Sequence, residues 1–349
     1  MKSSTALWQF FPQGAPDQET SLALGDCGRR DREELREMVG TTQVPVIVFS
    51  EECMKPGTSS WAKACKVMAQ ALEDHGCFVV DHPNVPLGLH DSIFSAAEDL
   101  FHLPYETKIK NVNLKPPLGY TGKIPGTPVV EALAIVGPDK PEDCEKFASL
   151  MWPSRNDHFC KAVHDYSKFI AEMEKVVFRM VCESYAVEKC YDPYINSSAY
   201  ILRLLKSKIL EGVEVSVNPT GHTDKSFLSY LHQGNIRGLD VRTKDGEWFT
   251  FEPSASTFIV MAGEACVAWS NGRIKACDHR VLVTEKNQVR YSLATFSYTT
   301  GMIETPEEFI DEAHPRLYKP FIHMDFLFYY DSVDDRMKGE SLIESFCGV

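Results

Sequence analysis

Gly221-His222-Thr223-Asp224, answered far downstream by His279 and then by Arg290-Tyr291-Ser292, constrains this chain more than any other feature. A His-x-Asp pair with a distant His offers two imidazoles and one carboxylate. That set holds non-haem Fe(II) on one side and leaves open positions on the other. In a strand, residues two apart leave the same face, so His222 and Asp224 reach one ion without special backbone geometry. His279 is then expected from a strand across a double-sheet roll. Iron used this way needs a bidentate co-substrate with a carboxylate tail. Arg290 and Ser292, again two apart, suit that tail. A single histidine is more often a satisfied core or surface imidazole, so the ordered set carries the reading.

The texture around these residues fits. From Ala199 to Tyr298 short β runs alternate with Gly, Pro, Asn and Asp: Tyr200–Leu205, Phe227–Leu231, Gly238–Val241, Trp248–Phe251, Thr257–Met261, Cys266–Trp269, Arg280–Thr284 and Arg290–Tyr298. About eight such strands suggest a jelly roll. Upstream, Val44–Phe49 and Cys77–Val80 read as buried strands, and Trp61–Asp74 as a helix ended by Gly76. Leu87–Phe101 reads as a second helix. A long helix from Asp157, its expected cap, to about Val187 places Val163, Tyr166, Ile170, Met173, Val177, Met180 and Val181 on one face. Thr305-Pro306-Glu307-Glu308 reads as a capping box, and a last helix is expected over about Phe321–Met337.

The fold expected is therefore mainly β with flanking helices: a double-stranded β-helix (cupin-like jelly roll) core, an α-rich N-terminal region and a C-terminal helix. The divisions are a weakly ordered leader at 1–43, an N-terminal region at 44–198, the catalytic core at 199–300 and a helical lid and tail at 301–349.

Hydrophobic residues at 44% and charged residues at 24% are ordinary for a globular chain. A formal net charge of −13 argues against nucleic acid or an anionic membrane as partner, though a local Arg still accommodates a small anion. The 11 cysteines are scattered singly, without a Cys-x-x-Cys pair, and fit reduced thiols. No signal pattern or membrane-length apolar run is present, so a cytoplasmic protein, monomeric by its acidic surface, is expected.

At this point the chain resembles the plant-type Fe(II)- and 2-oxoglutarate-dependent dioxygenases over roughly Val44–Tyr330. Gly76-Cys77-Phe78-Val79-Val80-Asp81-His82, Phe101-His102-Leu103-Pro104 with Lys108, and above all Trp269-Ser270-Asn271-Gly272 with Lys275 and His279-Arg280-Val281 are similar to its signatures. His222-Thr223-Asp224-Lys225, Gly238-Leu239-Asp240-Val241 and Asp245-Gly246-Glu247-Trp248 are most similar to the branch with the glucosinolate side-chain dioxygenases. The resemblance implies that His222, Asp224 and His279 ligate Fe(II), and that Arg290 and Ser292 anchor 2-oxoglutarate. With O₂, and ascorbate keeping iron reduced, a C–H bond of a small plant specialised metabolite or hormone would be oxidised, releasing succinate and CO₂. Hydroxylation is the default, with desaturation, demethylation or ring closure as variants. Asp224 favours oxygenation, because related halogenases lack this carboxylate.

One departure stands out. Relatives often place Asn-x-Tyr on the strand before the His-x-Asp pair, and here those positions are Leu205 and Ser207. Ser207 is the expected replacement contact to the co-substrate. Candidate substrate-side residues are Tyr120, Phe227, Phe296, Tyr298 and Glu131, the last as the partner of a cationic substrate. Two rival readings are an ascorbate-using oxidase of the same fold and a non-catalytic jelly-roll binding protein.

Overall fold

The computed structural model describes residues 44–112, 118–122, 129–208, 221–282, 288–332 and 342–348. The leader expected at 1–43 lies outside them. In chain order the strands of the two larger sheets are β1 (Val46–Val48), β2 (Cys77–Asp81), β3 (Val129–Val136), β4 (Ser198–Lys208), β5 (Leu228–Gln233), β6 (Leu239–Arg242), β7 (Trp248–Thr250), β8 (Thr257–Ala262), β9 (His279–Val281) and β10 (Val289–Thr299), and a short pair, Met302–Ile303 with Phe321–Ile322, stands apart. Seven of them form one sheet in the order β1-β2-β8-β5-β10-β4-β3, antiparallel except for β1 with β2. A second sheet has the order β7-β6-β9.

Strand alternation gives the large sheet two different faces. Val79, Ile259 and Met261 meet Leu239, Val241 and Phe251 of the small sheet in one apolar cluster. This inner face continues across β5, β10 and β4, where Ser229, Gln233, Arg290, Ser292 and Ser207 alternate with apolar residues such as Phe296 and Ile201. The outer face presents Phe78, Val80, Phe258, Val260, Tyr230, Leu202 and Leu204 to the helices, forming the largest core.

The long helix Asp157–Ser184 is the backbone of that helical layer, and all seven residues assigned to its apolar face are buried. Its cap is Asn156 rather than Asp157: the Asn156 side chain accepts from the Phe159 amide at 2.9 Å, and Asp157 occupies the first turn. Two further expectations are corrected. Cys266–Trp269 lies in a helix, Glu264–Trp269, because a short apolar run has no period of its own and Gly263 starts a turn there. Thr305 caps no helix; its hydroxyl donates to Ala268 O at 2.9 Å, and Glu307–Phe309 is a single 3-10 turn. Strand β3 and the helix Pro141–Met151 were not foreseen. Among the described residues no helix is long and apolar enough to cross a membrane.

The Asn271-Gly272 signature has a structural role. Asn271, at φ 55°, donates to Phe309 O and Pro315 O and accepts from the Leu317 amide at 2.8 Å. Gly76 likewise ends the helix Ser59–His75 in the left-handed region at φ 69°. A Cβ there would meet Lys275 O at 2.5 Å and Cys277 N at 2.7 Å. Only glycine lets the backbone leading into His279 lie against the helix end.

Gly76→Ala is expected to cost about 3 kcal/mol in urea unfolding, since backbone must move as well as adopt a strained φ. A second expectation concerns pH. His323 is fully buried; its Nε2 donates to Lys225 O at 2.9 Å and its Nδ1 accepts from the Thr299 amide at 3.2 Å. Burial holds its pKa down at about 4, so it folds neutral. The unfolded chain takes up this proton near pH 6.5 and the folded one does not. Stability should therefore fall from about pH 6.5 towards 4, by about 1.4 kcal/mol per unit for this group. Chemical denaturation of wild type and His323→Asn across that range measures the difference.

Candidate active site

His222 and His279 face each other directly. Their backbones exchange two hydrogen bonds, His222 N to His279 O at 2.9 Å and His279 N to His222 O at 3.0 Å, as an isolated antiparallel bridge. This corrects two expectations. The His-x-Asp segment is a single bridge rather than a strand, and His279 is its neighbour rather than a residue from across the roll. Gly221, at φ 78°, sets up the bridge where a Cβ would meet Asp278 Oδ1 at 2.5 Å. The two imidazole centroids lie 4.2 Å apart.

Asp224 completes the group. Its Oδ1 is 4.0 Å from His222 Nε2 and 3.8 Å from His279 Nε2. The ligand atoms of the three residues all fall within 4.8 Å of one another. Asp224 and His279 are each oriented by a neighbour. The Ser229 hydroxyl on β5 donates to Asp224 Oδ2 at 2.6 Å. Cys277 O lies 3.2 Å from His279 Nδ1, which keeps that nitrogen protonated and Nε2 free for a metal. The helix Glu264–Trp269 sits beneath the loop. Glu264 N donates to Asp224 O at 2.8 Å, and its Oε1 accepts from Thr223 Oγ1 and Lys225 Nζ. Its Oε2 accepts from the Ile343 amide at 2.9 Å, at the start of the helix Leu342–Cys347.

The electrostatics suit a divalent ion. Burial and the neighbouring His279 hold the His222 pKa down at about 4. For Asp224 burial pushes upward, but the two imidazoles and Ser229 outweigh it and hold the carboxyl below its usual range. At neutral pH His222 is thus neutral and Asp224 ionised, and with His279 the set offers two imidazoles and one carboxylate, the donor types a metal takes.

Arg290 lies further along the same inner face, on β10. Its Nη1 donates to Ser292 Oγ and its Nη2 to Gln233 Oε1, both at 2.9 Å, while Nε is buried without a partner. Gln233 is pinned in turn by the Leu239 amide and by Phe251 O. Ser207 is buried directly opposite Arg290 on β4. Gly238 leaves room for the guanidinium, since a Cβ there would stand 2.9 Å from Nε. A buried guanidinium with no carboxylate within 4 Å among the described residues is a seat for an anion.

The substrate-side candidates divide. Phe296 and Tyr298 share the inner face of β10 with Arg290. Phe227 does not: it is buried in the outer core among Phe178, Tyr194 and Trp269. Glu131 also points outward, in register with Lys206 and paired with Lys108 at 2.5 Å. Tyr120 donates to Glu131 Oε1 at 2.9 Å on that same outer face. A carboxylate already matched by a buried lysine is not a partner for a cationic substrate. Sequence reasoning missed Ser229, Gln233 and Glu264, which carry no motif of their own.

Comparison with known proteins agrees with this geometry. Residues 200–298 match the 2OG-Fe(II) oxygenase superfamily, and residues 44–155 match the N-terminal region described as non-haem dioxygenase in morphine synthesis. The chain is 36% identical over 309 residues to a probable 2-oxoglutarate-dependent dioxygenase, AOP1, of Arabidopsis thaliana, covering 86% of this chain and 94% of that protein. It is 30% identical to the 2-oxoglutarate-dependent dioxygenase AOP3 of the same plant, over 88% of this chain and 98% of the relative. Among solved structures, a rice dioxygenase for auxin oxidation superposes with a TM-score of 0.70 at 25% identity, covering 83% of this chain and 95% of its own. The dioxygenase for auxin oxidation 1 of Arabidopsis thaliana, bound to 2-oxoglutarate, gives 0.69 at 26% identity, covering 78% and 100%.

If Ser229 orients Asp224, Ser229→Ala should weaken Fe(II) binding about 10- to 100-fold while leaving the fold intact. Metal titration followed by circular dichroism checks both parts.

Proposed function

Since this chain belongs to the 2-oxoglutarate- and Fe(II)-dependent oxygenases, we propose that His222, Asp224 and His279 are its iron ligands and that Arg290 and Ser292 are its co-substrate anchor. The enzyme is an oxidoreductase that uses Fe(II), 2-oxoglutarate and O₂. The observation that supports the residue assignment is the convergence of two imidazoles and one ionised carboxylate beside a buried guanidinium that lacks an acidic partner among the described residues. When bound, the iron supplies the coupled oxidation in which 2-oxoglutarate gives succinate and CO₂ and a substrate C–H bond is oxidised.

The protein's own groups have separable parts in this reading. Ser229 and the Cys277 carbonyl fix the faces that Asp224 and His279 offer. Gln233 aims Arg290, whose guanidinium takes the distal carboxylate with the Ser292 hydroxyl beside it. Ser207, opposite Arg290, contributes a hydrogen bond to the co-substrate where relatives often use a tyrosine. The two facing sheets, joined by an apolar cluster, are the double-stranded β-helix of this reading.

Hydroxylation of a small plant metabolite or hormone is the reading for turnover, with ascorbate as reductant and a monomeric, cytoplasmic enzyme that binds no nucleic acid. Solved relatives named for auxin oxidation support a substrate of hormone size. The test is succinate release with Fe(II), ascorbate, 2-oxoglutarate and O₂, with and without a pooled plant-metabolite extract. Succinate should rise with extract and disappear in Asp224→Ala. Arg290→Met should raise KM for 2-oxoglutarate about 100-fold, the loss of a buried charge-assisted pair. Succinate production equal in wild type and Asp224→Ala would refute the assignment.

A further inference from the structure

Arg203 is a second cation on the inner face, and nothing above gives it a task. It lies on β4 between Ile201 and Leu205, on the face that also carries Ser207. Across the sheet it is in register with Ala294 of β10 on one side and Ala134 of β3 on the other. Its cross-strand neighbours are therefore the smallest side chains available, which leaves space around the guanidinium. Its one hydrogen bond among the described residues runs from Nη2 to Thr121 Oγ1 at 3.1 Å. Nε is buried with no partner, and no carboxylate comes within ion-pair distance among the described residues. Burial works against its charge, the nearby Asp224 carboxylate favours it, and strand register puts it on the same inner face as Arg290 and Tyr298.

Its surroundings are apolar. Ala134, Ile201, Tyr298, Leu118 and Leu327 form a separate cluster on this face, joined by Phe296. Leu327 comes from the helix His323–Ser332, so the cluster bridges the sheet and the C-terminal helix. One cation beside an apolar wall is the complement of a small amphiphile with a single anionic end.

Charge balance points the same way. A bound dication, the Asp224 carboxylate, dianionic 2-oxoglutarate and Arg290 cancel among themselves, and Lys225 is matched by Glu264. Arg203 is left as one positive charge with no acidic partner among the described residues, half-buried beside an apolar wall, and an anion would complete it. We propose that Arg203 is the substrate-recognition residue, binding the carboxylate of a small carboxylic acid whose apolar body lies against Phe296 and Tyr298. This rests on the iron and co-substrate assignment above, and it reverses the cationic substrate expected from Glu131.

The test is calorimetric titration of the full chain loaded with Mn(II) and 2-oxoglutarate, which binds without turning over. Indole-3-acetate, phenylacetate and 4-phenylbutanoate are each compared with their primary amides. Wild type should bind at least one acid about tenfold or more tighter than its amide. Arg203→Met should erase that preference, and Arg203→Lys should keep part of it, while 2-oxoglutarate affinity stays within about twofold in both. The proposal is overturned if no acid is preferred to its amide, or if Arg203→Met retains the preference. A parallel loss of 2-oxoglutarate affinity in Arg203→Met would overturn it too, by giving the guanidinium to the co-substrate. Failure of wild type to bind 2-oxoglutarate at all would instead strike the underlying assignment.

Discussion

Two backbone hydrogen bonds between His222 and His279 organise the rest of this molecule. They fix the spacing of the imidazoles with main-chain atoms, which have less freedom than side chains. Everything else near the site aligns a third group to that pair. Ser229 turns the Asp224 carboxylate, Cys277 sets a tautomer, Gly76 lets the backbone before His279 lie against a helix end, and Gly221 leaves room for the Asp278 and Trp248 side chains. The His222–Asp224–His279 group is thus held from several directions by elements far apart in sequence.

The large sheet separates two electrostatic environments by the alternation of its strands. On its outer face, charges are matched: Lys108 and Lys206 surround Glu131, whose carboxyl is pushed up by burial and brought below its usual range by Lys108 and Tyr120. On the inner face, Arg290 and Arg203 stay unmatched by any acid within ion-pair reach among the described residues. Neighbouring positions on one strand, Arg203 and Lys206, therefore have opposite meanings, one directed at ligands and the other at the protein. A shift of β4 by one residue would exchange the faces and destroy both arrangements.

The grouping of His222, Asp224 and His279 and the contact of Arg290 with Ser292 were legible because they depend on local spacing and residue chemistry. The long helix was legible because twenty-eight residues of sustained period leave little ambiguity. Glu131 shows where such reading fails. Parity on β3 decides which way it points, and that strand was not recognised, so a structural ion pair looked like a pocket carboxylate. Ser229, Gln233 and Glu264 failed for another reason: each acts through one hydrogen bond to a residue set by the tertiary fold. Cys266–Trp269 became a helix because the turn at Gly263, set by its closeness to Ser226, overrides local propensity.

Glu264 joins distant parts of the chain through its two carboxylate oxygens. One holds the loop around Asp224, and the other holds the backbone at Ile343. The loop's full set of restraints therefore exists only once residue 343 has been synthesised and docked. A nascent chain that has already released both histidines therefore holds this loop with one restraint missing. On the proposed ligand assignment, metal would be gripped most firmly by molecules that have finished folding, a form of quality control written into one side chain.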